Sequence, residues 1–277
     1  MKIVFFGTSK YCLPVLDALK PQLELVVARP DKPVGRKQIL TPCATKIWAI
    51  KNNIHLQETT SLEGKFDLGI VADYGRIIPE EEFNIPKLGT FNIHFSKLPD
   101  LRGASPVQQT LLRGNKTAWV TIFKIEKTLD TGPVLDQREF PIFPDDTAET
   151  LYTRLFEEVA KYLPERIMNY ELRIMQGEKN ILIPQDHAKA TYCQRLTKQD
   201  GFVKWSDIEN CELRIENYNH FRAMTPWPGL WTLRPAQGKL QRMKILKCHL
   251  DQSSVTGHSS LVLDEIQFEG KKPEKTH

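Results

Sequence analysis

The sequence predicts an α/β fold: a Rossmann-like, mostly parallel sheet with helices on both faces, followed by a small C-terminal β-barrel of OB-like type. Three observations predict it. Short runs rich in β-branched residues and free of alternating charge recur through the first half, as strands buried on both faces require. Segments of helical spacing separate them, which is the alternation of a layered α/β structure. After residue 190 the texture changes to short strand-like runs divided by turn residues.

In chain order, KIVFF (2–6) is an apolar run ending at Gly7 and reads as the first buried strand. Leu13–Leu19 follows with helical spacing. LELVVA (23–28) and DLGIVA (67–72) read as further buried parallel strands, and residues 43–53 as a helix after a loop at 29–42 punctuated by proline and glycine. A strand at 89–94 leads to a helix from about residue 104 to 113. AWVTIFKI (118–125) alternates as a half-exposed strand would.

From residue 147 to 176 one long helix is expected, with Leu151, Leu155, Val159 and Leu163 at four-residue spacing and Pro164 as its break or kink. GEKNILIPQDHAKA (177–190) reads as a connection laid across the surface, and GFVKW, LWTLR and KILKCHL as strands of the barrel. The domains expected are therefore an α/β domain over residues 1–176, a linker over 177–190 and a β-barrel domain over 191–277.

Composition narrows the function classes. The 277 residues suffice for one large or two ordinary domains. With a mean hydropathy of −0.39 and no apolar run of about 18 residues, no membrane-spanning helix is expected. Gly7, Ser9 and Lys10 interrupt the first apolar stretch before a secretory core can form, so a soluble, cytoplasmic protein is expected. The five cysteines are scattered without a C-x-x-C pair, which favours reduced structural thiols and no metal site. The net charge is +4, of which residues 191–277 carry +3. That balance permits a polyanionic partner without requiring one.

Neither G-x-G-x-x-G nor G-x-x-x-x-G-K-[ST] follows the first strand, where the sequence is G-T-S-K-Y, so dinucleotide and P-loop chemistry are disfavoured. The dense stretch is TFNIHFSKLPDLRGASPVQQTL (90–111). Asn92 and His94 stand two apart in the expected strand, share one face, and lie near its carboxyl end, where open α/β sheets place ligands. An amide beside an imidazole can donate hydrogen bonds to a developing oxyanion. The same pair also reads as a structural polar pair at a strand end. Asp130, in the turn-like LDTGPVL (129–135), could orient His94 or relay a proton, and equally reads as a turn residue.

Asn-Ile-His (92–94), Ser-x-Leu-Pro (96–99), Arg-Gly-Ala-x-Pro (102–106) and Asp-Thr-Gly (130–132) together resemble the folate-dependent formyltransferase family. FFGTS (5–9), DYGRIIP (73–79), KQDGFVKW (198–205) and FRAMTPWPG (221–229) extend the resemblance along almost the whole chain. It implies Asn92, His94 and Asp130 as the catalytic trio and 10-formyltetrahydrofolate as donor, with no metal. It implies folate contacts from Ser96, Lys97, Leu98 and Pro99, and a pterin-bordering loop at Asp73, Tyr74 and Gly75. The family's usual Ser-Leu-Leu-Pro departs here at Lys97.

Among the family's acceptors, the amino group of initiator methionyl-tRNA is favoured, which places the reaction in translation initiation. The loop ARPDKPVGRKQILTP (28–42) is similar to the insertion with which tRNA-specific members grip the acceptor stem, and it points to Lys32, Arg36 and Lys37. Lys198, Lys204, Arg222, Lys244 and Lys247 are candidate phosphate contacts, whereas Trp205, Trp227 and Trp231 read as packing residues. A sugar-nucleotide N-formyltransferase and a non-catalytic folate- or RNA-binding relative are the alternatives. A monomer is the family expectation.

Overall fold

The computed structural model describes residues 1–35, 37–236, 239–251 and 260–276. In chain order its elements are β1 (Ile3–Gly7), α1 (Leu13–Leu19), β2 (Leu23–Val27), β3 (Lys32–Val34), β4 (Ile39–Thr41), α2 (Ala44–Lys51), β5 (His55–Gln57), β6 (Leu68–Ala72) and α3 (Glu80–Phe83). Next come β7 (Thr90–His94), β8 (Arg102–Gly103), α4 (Pro106–Leu112), β9 (Thr117–Lys124), β10 (Val134–Pro141) and α5 (Ala148–Met175). The last are β11 (Tyr192–Cys193), α6 (Trp205–Glu209), α7 (Arg214–Met224), β12 (Leu230–Ala236), β13 (Lys239–Asp251), β14 (Ser260–Phe268) and β15 (Glu274–Lys275). Contacts group these into two units. One comprises Met1–Arg102, Trp119–Phe140 and Tyr152–Tyr192; the other comprises Gly103–Ala118, Pro141–Leu151 and the described residues from Cys193 onward.

The first unit is built on a seven-stranded sheet in the order β10-β9-β7-β6-β1-β2-β5. β1 pairs in parallel with both β2 and β6, β6 pairs in parallel with β7, and β9 runs antiparallel to β7. Every residue of β1 and β6 is buried, which is what their unbroken apolar runs dictate for central parallel strands. On one face Val4, Phe6, Leu25, Val27 and Val71 pack with Leu62, Phe66 and Tyr74. On β7 the period of two separates the roles. Phe91 meets Tyr170 of α5 edge-on at 5.1 Å, and Phe95, just past the strand, meets Phe156 at 4.6 Å. Asn92 and His94 are thereby turned to the opposite face.

The second unit holds an antiparallel meander in the order β12-β13-β14-β15. Val203, Phe221, Leu230, Met243, Ile245, Cys248 and Ile266 form its core.

Several expectations change. Pro164 neither ends nor divides α5, which runs through 28 residues. An internal proline costs a helix roughly 3 kcal/mol, but Leu155, Phe156, Val159, Leu163 and Ile167 are fully buried and hold both halves in register. β9 is mostly buried because it lies inside the sheet, between β10 and β7, so its alternation did not mark a half-exposed strand. GFVKW is no strand: Lys198–Gly201 forms a 3₁₀ turn and Trp205 opens α6. The helix α7 over FRAM was not expected. The connection 177–190 is largely exposed, yet Gln185 within it is buried.

Candidate active site

The expected residues collect where β1, β6 and β7 end at their carboxyl termini, the edge at which parallel sheets open to ligands. Beyond β1, Thr8 donates to the Asp73 carbonyl from its backbone nitrogen (3.2 Å) and its hydroxyl (2.8 Å). That joins the first strand to the Asp73–Tyr74–Gly75 loop after β6. Beyond β7 comes the stretch Ser96–Pro99.

His94 is the centre. Its ring is 5% exposed, and its Nε2 lies 2.9 Å from the Leu101 carbonyl. A carbonyl only accepts, so Nε2 carries a proton there. Nδ1 faces Asp130 Oδ2 at 3.8 Å, with both side chains buried. That separation is longer than a hydrogen bond, so the two groups attract without closing on one another. Asn92 is half-buried on the same strand face, two residues before His94. Asp130 is expected to orient His94 or relay a proton; the Leu101 carbonyl holds Nε2 of the ring, and Asp130 faces Nδ1.

The backbone on each side of His94 is unusual. Leu101 has φ = 56° and Asp130 has φ = 53°, both left-handed. For residues with a Cβ this costs about 1–2 kcal/mol each, so the surroundings must hold them there. Two residues after Asp130 the Asp-Thr-Gly turn needs its glycine. A Cβ at Gly132 would stand 1.8 Å from the Lys124 carbonyl oxygen.

In the Ser96–Pro99 stretch Ser96 and Leu98 are buried, and their backbone is tied to the sheet. Thr121 Oγ1 donates to the Ser96 carbonyl (2.6 Å), and Gln137 Nε2 donates to the Leu98 carbonyl (3.1 Å). Lys97 is exposed and sets its ammonium over the Trp119 ring, 4.1 Å from the centroid. In the opposite loop Tyr74 is buried edge-on against Phe6 (5.7 Å), and nothing lies within 4 Å of where a Cβ of Gly75 would stand. Asp73 is accessible at the rim, but crowding by neighbouring atoms raises its carboxyl above the usual range, against the Ser9 hydroxyl, which lowers it. The Cys12 thiol is pushed up to about 12, first by burial and then by the Asp73 charge, so it is inert.

The basic loop is a small hairpin of β3 and β4. Lys32 and Lys37 are exposed on it, and Arg36 lies outside the described residues. Lys46 sits near the hairpin's root, bonded to Asp31 (2.7 Å) and Glu58 (2.5 Å). In the second unit Lys198, Lys204, Lys244 and Lys247 are exposed, with Lys247 paired to Glu265 at 3.3 Å.

Arg222 is not a phosphate contact. It is buried and donates to the carbonyls of Asp146 (2.8 Å) and Pro144 (3.1 Å), where its guanidinium satisfies backbone acceptors. Trp227 is also no packing residue, being half exposed, whereas Trp205 packs against the core and Trp231 donates from Nε1 to the Lys198 carbonyl at 2.9 Å. Among the described residues no group of three His, Cys, Asp or Glu side chains could hold a metal, and no helix is long and apolar enough to cross a membrane.

Sequence reasoning missed Leu101, Arg102 and Gln185 around this site. Arg102 lies in the Arg-Gly-Ala motif, but nothing in the sequence signals that it is buried or that Gln185 meets it.

Known proteins share this arrangement of domains. The model of the Formyl transferase family matches residues 1–167, and that of the Formyl transferase, C-terminal domain, matches residues 195–277. A methionyl-tRNA formyltransferase of Caldicellulosiruptor saccharolyticus is 37% identical over 265 residues, covering 90% of this chain and 79% of its own. Another, from Deinococcus radiodurans, is 34% identical over 296 residues, covering 98% and 89%. Among solved structures, an N-formyltransferase from Helicobacter canadensis in complex with folinic acid and dTDP-3-aminofucose matches with a TM-score of 0.64. It is 20% identical, over 95% of this chain and 98% of that one, which is a likeness of fold.

Proposed function

We propose how the site works from one premise: the chain belongs to the formyl transferase family. Its activity is formyl transfer to methionyl-tRNA, the activity named for relatives 34–37% identical over most of both chains. The formyl donor is 10-formyltetrahydrofolate, which when bound supplies an activated one-carbon unit on N10. The residues suit such a ligand. Asp73 offers an acceptor at the rim, the backbone at Gly75 is open, and Ser96–Pro99 presents a rigid edge from the neighbouring strand.

Asn92, His94 and Asp130 carry the reaction in this reading, and the observation behind it is the buried His94–Asp130 pair with one ring nitrogen fixed by Leu101. A proton on His94 Nδ1 is held there by Asp130 and donated, together with an Asn92 N–H, to the formyl oxygen as negative charge develops. The new bond joins the acceptor nitrogen to the formyl carbon and the bond to N10 breaks. Asp130 and His94 carry the proton lost by the amine to N10. Residues 1–176 form the catalytic part, 177–190 the linker and 191–277 the part that adds tRNA contacts. Lys32, Arg36 and Lys37 meet the acceptor stem. In this reading the enzyme works in the cytoplasm as a monomer, in translation initiation.

The test offers methionyl-tRNA and an amino-sugar nucleotide in parallel, at two salt concentrations. We expect product on the tRNA alone, lower kcat/KM at the higher salt, and a further loss for Lys32→Ala/Lys37→Ala. Product on the sugar alone overturns the acceptor, and product on neither overturns the transferase reading.

A further inference from the structure

The connection after α5 does more than join two parts of the chain. From Ile183 to Thr191 it touches both residues that face the nitrogens of His94. Ile183 exchanges two backbone hydrogen bonds of 2.8 Å with Val134, which fixes the segment to the strand that follows the Asp130 turn. Gln185, 8% exposed, then spends both amide protons on that turn, donating from Nε2 to the carbonyls of Asp130 (3.0 Å) and Gly132 (2.7 Å). Its Oε1 accepts from Arg102 Nη2 (2.7 Å) and Nε (3.3 Å). Arg102 is 1% exposed and follows Leu101, the residue whose carbonyl holds His94 Nε2. The same guanidinium donates to His187 Nδ1 at 2.9 Å.

Thr191 completes the far end. Its Oγ1 accepts from the Leu101 backbone nitrogen (2.8 Å) and also bonds Asp100. Its backbone donates to the Pro99 carbonyl (3.2 Å), and its carbonyl accepts from the Arg102 nitrogen (2.9 Å). Leu101 and Asp130, the residues that face the two ring nitrogens of His94, are both left-handed. Each is therefore gripped by a side chain of one short segment: Leu101 by Thr191, and Asp130 by Gln185.

We propose that the 183–191 segment is a strap that sets the geometry of His94, with Gln185 and Thr191 as positioning residues for formyl transfer. Gln185 fixes where the Asp130 carboxylate stands relative to Nδ1, and Thr191 fixes where the Leu101 carbonyl stands relative to Nε2. The inference rests on the reading of His94 and Asp130 given above. A misplacement of about 1 Å in such a pair is enough to cost on the order of 10²-fold in rate.

Gln185→Glu is the sharpest probe. It keeps the acceptor toward Arg102 and the side-chain shape, but replaces the two donors to the turn with a carboxylate oxygen and adds a negative charge, so the uncharged Gln185→Met is run beside it and must show the same loss. Thr191→Val removes the hydroxyl that holds Leu101, and Thr191→Ser restores it. We expect Gln185→Glu and Thr191→Val each to lower kcat by roughly 10- to 100-fold and to displace the pH profile of kcat. KM for donor and tRNA should stay within about threefold, and Thr191→Ser should regain most of the rate. Asp130→Asn is run beside them.

If Asp130→Asn is inactive while Gln185→Glu and Thr191→Val keep the wild-type kcat and pH profile, the strap is overturned and the reading of the trio stands. If Asp130→Asn is itself unimpaired, that reading falls and the strap with it. Should Gln185→Glu fail to fold, the Thr191→Val and Thr191→Ser pair decides. A lower melting temperature with unchanged kcat and pH profile in the folded fraction marks a structural role only and overturns the proposal.

Discussion

Lys97 shows how far one side chain can depart from a family pattern without disturbing what surrounds it. Its neighbours Ser96 and Leu98 are buried and bonded through their backbone, but its own side chain leaves the stretch and covers Trp119. An exposed cation over an indole is worth about 0.5–1 kcal/mol, which holds the chain outward without fixing the backbone. The position is therefore tolerant. Lys97→Leu should leave kcat unchanged and shift KM for the folate donor by less than about threefold, read from initial rates at varied donor. A tenfold change in either would mean that this side chain, and not the peptide backbone, meets the donor. At the same scale, Arg222 and Trp227 reversed their expected roles because composition counts a charge or a ring without showing which way it faces.

Among the elements, the 3₁₀ turn Lys198–Gly201 carries a titrating cap. Asp200 accepts from the Thr197 hydroxyl (2.7 Å) and from the Thr197 backbone nitrogen (2.6 Å), and these two bonds hold its carboxyl below the usual range. A depressed carboxyl stabilises the fold above its ordinary pKa of 3.8, and that contribution is lost as pH falls through the lower folded value. The melting temperature of Asp200→Asn should thus lie below wild type near about pH 6, and the gap should narrow as pH falls below 3.8. A gap that stays constant with pH would show that the cap does not titrate.

The buried strands and most helices were legible because periodicity reports burial directly. The helix α5 was legible too, although local sequence could not show that its buried face outweighs Pro164. α6 was hidden because GFVKW, whose Val203 packs into the second unit's core, reads locally as a short strand, and α7, which buries Phe221 in the same core, was not expected.

Over the whole molecule, Asn92 and His94 were legible as residue types at a strand end and Asp130 as a residue of a turn, whereas the groups that surround them were not. Residues 92, 94 and 130 have a pattern of their own; Leu101 acts through a carbonyl and Gln185 through bonds to backbone oxygens, and neither leaves a mark in sequence. The two residues at the ring nitrogens come from segments well apart in the chain, and the sheet brings them to one edge. In the proposed mechanism His94 and Asp130 act as one unit in formyl transfer.

The most direct test is a double-mutant cycle on kcat/KM for formyl-methionyl-tRNA synthesis, with His94→Ala, Asp130→Asn and the two combined. Each single change should cost on the order of 10²- to 10⁴-fold, and the double variant should be no more than about threefold worse than the weaker single. Losses that multiply in the double variant, or a single variant with wild-type kcat/KM, would contradict it.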